Sequence, residues 1–380
     1  MYFSLQNLGP IGKADIALGD LTIFVGPQAS GKSIALEALK LAEDHDSIIE
    51  TLDRYNYIIG HNRNKILNAY FGEGMQAMWT PDTTLSLNGK NFNPDSLTES
   101  PEHKESSIFY VPAQRIVCMG DGYPRFFSDF SFTTPYVLRE FTETLRTFLQ
   151  FGMGGSDTLF YTDVHIADIQ QDAFDKSIFH QGEVVMTEVA GQKKMMLSTD
   201  GIHIPFMAWS AGQKEFMPLL LAFYCLAAPP SSVGKRERYS TVVIEEPEMG
   251  LHPKAIVSIL IQICQLLAAG YKVILSTHSS ILLEFAWAFN TLQGNSDRFH
   301  QALCILMQVD EKSPEADMLA KIVDKSVRIY SFSRKDASGK VETEDISSLD
   351  VMSDIPALSE WGGISEFSTR VNNVVSEFLR

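Results

Sequence analysis

Gly26-Pro27-Gln28-Ala29-Ser30-Gly31-Lys32-Ser33 decides how this chain reads. The eight residues fit G-x-x-x-x-G-K-[ST], a phosphate-binding loop, and their setting fits as well as their letters. Leu21 to Val25, just before, is a short apolar run that predicts a buried strand. Ile34 to Ala42, just after, predicts a helix with Ile34, Ala38 and Leu41 on one face. At such a junction the loop's N–H groups and the helix N-terminus face an anion, and the helix dipole favours negative charge. Lys32 then reaches the β- and γ-phosphates of a nucleotide, and the Ser33 hydroxyl meets Mg²⁺. A glycine turn that merely contains Lys-Ser requires neither flanking element.

Around this stretch, 380 residues allow one large α/β domain with insertions or two closely joined domains. A hydrophobic share of 45% is ample for a packed core. The longest apolar run, Leu219 to Ala228, is too short to span a bilayer and ends in Pro229-Pro230. Met1-Tyr2-Phe3-Ser4 lacks the charged-then-apolar order of a signal peptide. Cys118, Cys225, Cys264 and Cys304 show no paired spacing, which argues against a disulfide frame or a zinc site. These features together point to the cytoplasm. A net charge of −16 argues against a broad polyanion-binding surface. Lys193-Lys194 and Lys235-Arg236-Glu237-Arg238 are local basic patches or ordinary solvated loops.

Taken in order, residues 1 to 20 predict two antiparallel strands turning at Gly9-Pro10. The pattern breaks up from Glu43 to about Ser107; Leu52 to Ile59 reads as helix and Trp79 to Glu105 as long polar loops. Ser107 to Val111 is a strand that runs into Pro112-Ala113-Gln114-Arg115. Gln114 is either a surface amide or a ligand group at the end of a parallel strand, where such sheets gather ligands. Thr134 to Phe151 predicts a helix, and Glu183 to Met207 predicts antiparallel strands joined at Ala190-Gly191 and Asp200-Gly201. Ser210-Ala211-Gly212-Gln213 then opens a helix in which Pro218 predicts a kink. Ser210 serves there as a simple N-cap or, with Gly212, presents a hydroxyl and N–H groups to a phosphate.

Thr241 to Ile244 is a β-branched strand ending in Glu245-Glu246-Pro247-Glu248. Adjacent carboxylates there are costly unless a cation or a positioned water uses them. In a phosphate-loop protein the first carboxylate holds the Mg²⁺ shell and the second polarises the attacking water. An amphipathic helix follows (Ile256 to Leu267), then the strand Tyr271 to Leu275, which ends in Ser276-Thr277-His278. His278 is a capping or packing histidine, or else a contact for the γ-phosphate. In the tail, Ala302 to Val309 and Val327 to Phe332 predict strands, Ser331 to Asp345 a hairpin and Glu366 to Leu379 a helix.

Taken together these segments resemble the ATPase head shared by ABC-type and SMC/Rad50-like proteins, and most of all the OLD-like ATPases of prokaryotic anti-phage systems such as Septu, retron-associated and PARIS-type. The motifs stand in the same order: Walker A loop (26–33), Q-loop Gln114, signature Ser210-Ala211-Gly212-Gln213, Walker B with Glu245 and Glu246, and the switch residue His278. Glu246-Pro247-Glu248 and Leu251-His252-Pro253 are similar to runs typical of the OLD-like branch. The resemblance covers about residues 1–42, 107–116 and 205–285. It departs at Glu245, where aspartate is usual, and in the absence of a long coiled coil between Gln114 and Ser210. No Asp-x-Asp follows His278, so a Toprim nuclease is not expected.

The resemblance implies a P-loop NTPase fold with a mostly parallel core sheet, an antiparallel β-subdomain and helical insertions. It implies a head over residues 1–290, with insertions at about 43–106 and 117–205, completed by an α/β extension over 291–380. It implies ATP and Mg²⁺ as cofactors. ATP would lie between two copies of the chain in a homodimer or larger homo-oligomer, held by Gly26 to Ser33 and Gln114 of one copy and by Ser210, Gly212 and Gln213 of the other. Ser33, Gln114 and Glu245 would serve the metal, while Glu246 and His278 would act on the γ-phosphate together with Gln114. The function it implies is an ATP-driven sensor that restrains a toxic effector, such as a nuclease encoded nearby, with DNA or a phage component as a further partner and no membrane involved. Two other readings stand: a DNA-repair ATPase of the RecF/Rad50 kind, which a basic groove and DNA-stimulated hydrolysis would mark, and an ATP-binding scaffold that hydrolyses negligibly. An ABC transporter subunit fits least.

Overall fold

The computed structural model describes residues 1–59, 62–93, 95, 104–152, 178–180, 182–227, 239–293, 298–334 and 339–378. The Lys235–Arg238 patch and Pro229-Pro230 lie outside the described residues. The chain is an α/β protein that divides into two compact units, each assembled from separated stretches. One unit comprises Met1–Glu43, Ala77–Ser96 and Cys264–Arg380; the other comprises Asp44–Gln76 and Leu97–Ile263.

In the first half of the chain the strands are β1 (Tyr2–Leu8), β2 (Ile11–Ala17), β3 (Leu21–Val25), β4 (Trp79–Leu87), β5 (Lys90–Asn91) and β6 (Ile108–Val111). The helices there are α1 (Lys32–Arg54), α2 (Arg63–Phe71) and α3 (Tyr136–Thr147). Next come β7 (Glu183–Val189), β8 (Gln192–Thr199), β9 (Ile202–Pro205), α4 (Ala211–Ala227), β10 (Thr241–Glu245), α5 (Pro253–Ala268) and β11 (Lys272–Ser276). The chain continues through α6 (Ser280–Gln293), α7 (Phe299–Met307), α8 (Pro314–Ala320), β12 (Val327–Arg334), β13 (Val341–Asp345), α9 (Pro356–Ser359) and α10 (Glu366–Phe378).

The first unit is built on β3. All five of its residues are buried, as expected of a parallel strand covered on both faces. β11 and β12 flank β3 in parallel, and β13 joins β12 antiparallel and β2 parallel. β2, β1, β4 and β5 continue as an antiparallel meander beyond that parallel core. β12 and β13, from the C-terminal part of the chain, therefore lie within this sheet between β3 and β2. β4 corrects the expectation of loops over 79–105. Only Trp79 and Leu85 of β4 are buried, so its polar remainder hid the strand from a reading based on apolar runs.

Ala302 to Val309 was a predicted strand, and the structure overturns it. The segment belongs to α7, whose buried Phe299, Leu303 and Met307 recur every four residues while Ile305 and Leu306 face outward. A short unbroken apolar run does not reveal its period by itself. Leu52 to Ile59 is helical only as far as Arg54, and α1 is two helices that meet at a kink at Asp44 (φ −113°, ψ 18°).

In the second unit, β6 and β10 pair in parallel, and β7, β8 and β9 form a separate antiparallel sheet. The turns of that sheet lie at Ala190-Gly191 and Asp200-Gly201, where all four φ angles are positive. The stretch read as an insertion is tied in by Arg139 of α3. Its fully buried guanidinium donates to Tyr57 Oη (2.6 Å) and to the Ala69 carbonyl, and lies over the rings of Tyr57 and Phe127. Pro218 sits inside α4 without ending it, because Phe216 to Leu226 are all buried and packing outweighs the lost hydrogen bond.

Asp44 fastens the start of β6. Its carboxylate accepts from Ser106 Oγ (2.6 Å), Ser107 N (2.8 Å), Ser107 Oγ (3.0 Å) and Ile108 N (3.1 Å). Replacing it strands the buried Ile108 N–H and the part-buried Ser107 N–H. Asp44→Ala is expected to lower unfolding free energy by about 2–4 kcal/mol in urea titrations; an unchanged midpoint would show that β6 is held by other means.

Candidate functional site

The glycine loop leaves β3 and enters α1 as the sequence predicts. Gly26 has φ +143°, and a Cβ there would lie 2.3 Å from the Phe332 carbonyl of β12, so only glycine fits. Ala29 also takes a positive φ (58°), which turns the loop over the helix start. Pro27, Gln28 and Ala29 are exposed, as is Ser33. Lys32 is almost wholly buried, and its Nζ donates to the carbonyls of Gly26 (2.8 Å) and Pro27 (3.0 Å). Ser30 Oγ is buried with no hydrogen-bond partner. An orphaned hydroxyl within a loop at a helix N-terminus fits the demands of a bound phosphate.

β11 runs beside β3 with Ser276 opposite Phe24, and Thr277 N donates to the Phe24 carbonyl (3.0 Å). His278 therefore leaves its strand alongside Gly26, and it is exposed. The first unit thus brings Gly26 to Ser33 and His278 to one strand edge.

The second unit assembles the remaining predicted residues. Ile244 pairs with Val111, so Glu245-Glu246 and Pro112 to Gln114 leave β10 and β6 side by side. Gln114 is exposed and precedes a short 3₁₀ turn, Arg115–Cys118. Glu245 is buried: its Oε1 accepts from Tyr110 Oη (2.6 Å) and its Oε2 from Ala113 N (3.0 Å). Glu246 is half-buried and left-handed (φ 41°), a conformation that costs a non-glycine residue roughly 1–3 kcal/mol.

Sequence reasoning passed over Arg115. It is fully buried, and its fork donates to the carbonyls of Glu215 (Nε, 3.0 Å), Glu245 (Nη1, 2.9 Å) and Glu246 (Nη2, 3.0 Å). Burial lowers its pKa, while the carboxylates of Glu215, Glu248, Glu246 and Glu245 pull the other way. Burial likewise raises the Glu215 carboxyl, which Arg115 partly offsets. The one available signal was its place directly after a buried strand, and that holds for many surface arginines.

Ser210 and Gln213 make a reciprocal cap at the start of α4: Gln213 N donates to Ser210 Oγ (3.3 Å) and Ser210 N to Gln213 Oε1 (3.0 Å). Gln213 Nε2 also donates to the Ile178 carbonyl (3.1 Å), so that side chain is engaged within the fold. Gly212 lies against the turn after Glu246, and a Cβ there would meet the Gly250 carbonyl at 2.7 Å. Among the described residues no three His, Cys, Asp or Glu side chains cluster as a metal site. The four cysteines are free and buried, and no helix among the described residues is long and apolar enough to cross a membrane.

The profile of a family described as "AAA domain, putative AbiEii toxin, Type IV TA system" matches residues 147–284. The Old nuclease of Escherichia phage P2 is 31% identical over 86 residues, which are 23% of this chain and 15% of that protein. Among solved structures, an SMC head bound to the C-winged helix domain of ScpA is similar at 12% identity and TM-score 0.41, over 90% of this chain and 97% of that one. The dimeric ABC transporter cassette MJ0796 is similar at 10% identity and TM-score 0.33, over 74% and 90%. At such scores the fold rests on strand order and register, not on these likenesses.

The cap at Ser210 sets an expected outcome. Ser210→Ala should lose about 1 kcal/mol of stability, and Ser210→Asp should retain it, because aspartate caps as well as serine. Chemical denaturation of the two variants measures this, and equal losses would remove the cap from the account.

Proposed function

We propose that the chain binds and hydrolyses ATP with Mg²⁺. The observation that carries this reading is the glycine loop between β3 and α1, with Lys32 drawn over it and Ser30 Oγ buried without a partner. In this reading the loop N–H groups and Lys32 hold the phosphates and Ser33 meets the metal. Mg²⁺, when bound, would neutralise phosphate charge. Glu246 would orient or deprotonate the attacking water, Gln114 and His278 would contact the γ-phosphate region, and Glu245 would serve the metal.

The chain carries one set of motifs, which favours pairing of two copies, with Ser210 and Gly212 of one copy offered to the nucleotide of the other. Positioning and electrostatics supply the acceleration, without a covalent intermediate. The biological reading is a cytoplasmic ATP-dependent regulator that restrains a toxic effector, such as a nuclease, in defence against phage. The partial matches to a toxin–antitoxin family and to a phage nuclease support that direction.

Glu246→Gln is expected to bind ATP with wild-type affinity, to hydrolyse it at least about 100-fold more slowly, and to accumulate as the ATP-bound assembly. Titration with a fluorescent ATP analogue, phosphate release and light scattering measure the three effects. Wild-type turnover in this variant would remove Glu246 from the chemistry.

A further inference from the structure

We infer that Arg115 and Tyr110 are positioning residues that lock the Gln114 segment to the Glu245–Glu246 segment, so that both are set in place as one rigid piece. This deepens the ATPase reading and rests on it for its catalytic consequence. The lock itself rests on geometry alone.

The bonds run in both directions. From the β6 side, Arg115 reaches the backbone carbonyls of Glu245 and Glu246, with a longer contact from Nη2 to the Pro247 carbonyl (3.5 Å). From the β10 side, the Glu245 carboxylate takes Tyr110 Oη and the N–H of Ala113, the residue before Gln114. Arg115 Nε adds the Glu215 carbonyl of α4, which brings a third element into the same contact. Parallel pairing of β6 with β10 ends at Val111 and Ile244, so these side chains take over where the backbone ladder stops.

The chemistry requires arginine. A planar guanidinium has donors in fixed directions and can serve several carbonyls at once, whereas an ammonium is a compact charge that readily loses its proton when buried. The conformation held is also one that would not persist unaided. Glu246 is left-handed, and Arg115 grips the carbonyls of Glu245 and Glu246, the peptide groups on either side of the Glu246 Cα. Freed of that grip, the backbone relaxes toward an ordinary φ and carries the Glu246 carboxylate to a new direction. The lock acts on the segments assigned to the chemical step rather than on the loop assigned to the phosphates, so the loss should fall on kcat rather than on nucleotide affinity.

The test compares wild type with Arg115→Lys in the full-length chain, by hydrogen–deuterium exchange without nucleotide and by steady-state ATP hydrolysis. The expected result is faster exchange over both 112–118 and 245–250, with kcat reduced about 10- to 100-fold and KM for ATP within about 3-fold. Exchange and kcat both at wild-type values would overturn the lock. Faster exchange alongside a wild type that hydrolyses no ATP would uphold the lock and overturn the ATPase reading instead. If Arg115→Lys does not fold, Tyr110→Phe removes one bond from the opposite side. It should quicken exchange over 112–115 and lower kcat at unchanged KM, and wild-type behaviour in that variant overturns the proposal.

Discussion

Two strands that run parallel must leave their sheet at the same edge, and the chain between them must return outside it. That constraint, more than any single side chain, organises this protein. β3 and β11 are far apart in sequence, yet their pairing sets Gly26 beside His278. The pairing of β6 with β10 does the same for Gln114 and Glu246. In both pairs the strands are short and almost wholly buried, so their apolar residues fix the register and the polar residues fall where the ladder ends. Chemistry at the edge follows from burial behind it.

What happens at those edges is an electrostatic problem. Strand ends leave carbonyl oxygens that the ladder no longer uses, and the chain meets them with buried cations. Lys32 turns onto the carbonyls of its own loop, and Arg115 serves carbonyls from four different residues. A buried charge without such partners would cost several kcal/mol. Carbonyl partners differ from carboxylate partners in one respect: they neutralise no charge. The cation keeps its field while its donors are satisfied, and the Glu215, Glu248, Glu246 and Glu245 carboxylates offset part of the cost of burying Arg115 without pairing off its fork.

The strand ends at which the motif residues lie were legible in the sequence, because an apolar run betrays each strand. β3, β6, β10, β11 and β12 all fall within a residue or two of where Val, Ile, Leu and Phe cluster. The reading failed where burial is sparse or the period is hidden. β4 buries two of nine residues, and α7 packs a run that alternates in neither period clearly. Arg115, Arg139 and Asp44 were out of reach for a different reason. Their roles depend on backbone groups brought together from distant stretches, and one sequence read locally does not show which carbonyl will be orphaned near which side chain.

Glu245 departs from its motif for a reason that lies in the fold. Read against its motif, a glutamate where aspartate is usual is only a longer arm near a metal. In the fold, the length of that arm has a use. The carboxylate reaches Tyr110 Oη with one oxygen and Ala113 N with the other, across to the neighbouring strand's exit. An aspartate, one methylene shorter, would sit about 1.5 Å back along the side chain and could not keep both bonds without moving the backbone. The substitution and the buried Tyr110 therefore belong together. What looks like a weakened ligand is a side chain lengthened to brace the chain that leaves the neighbouring strand, at the residue before Gln114.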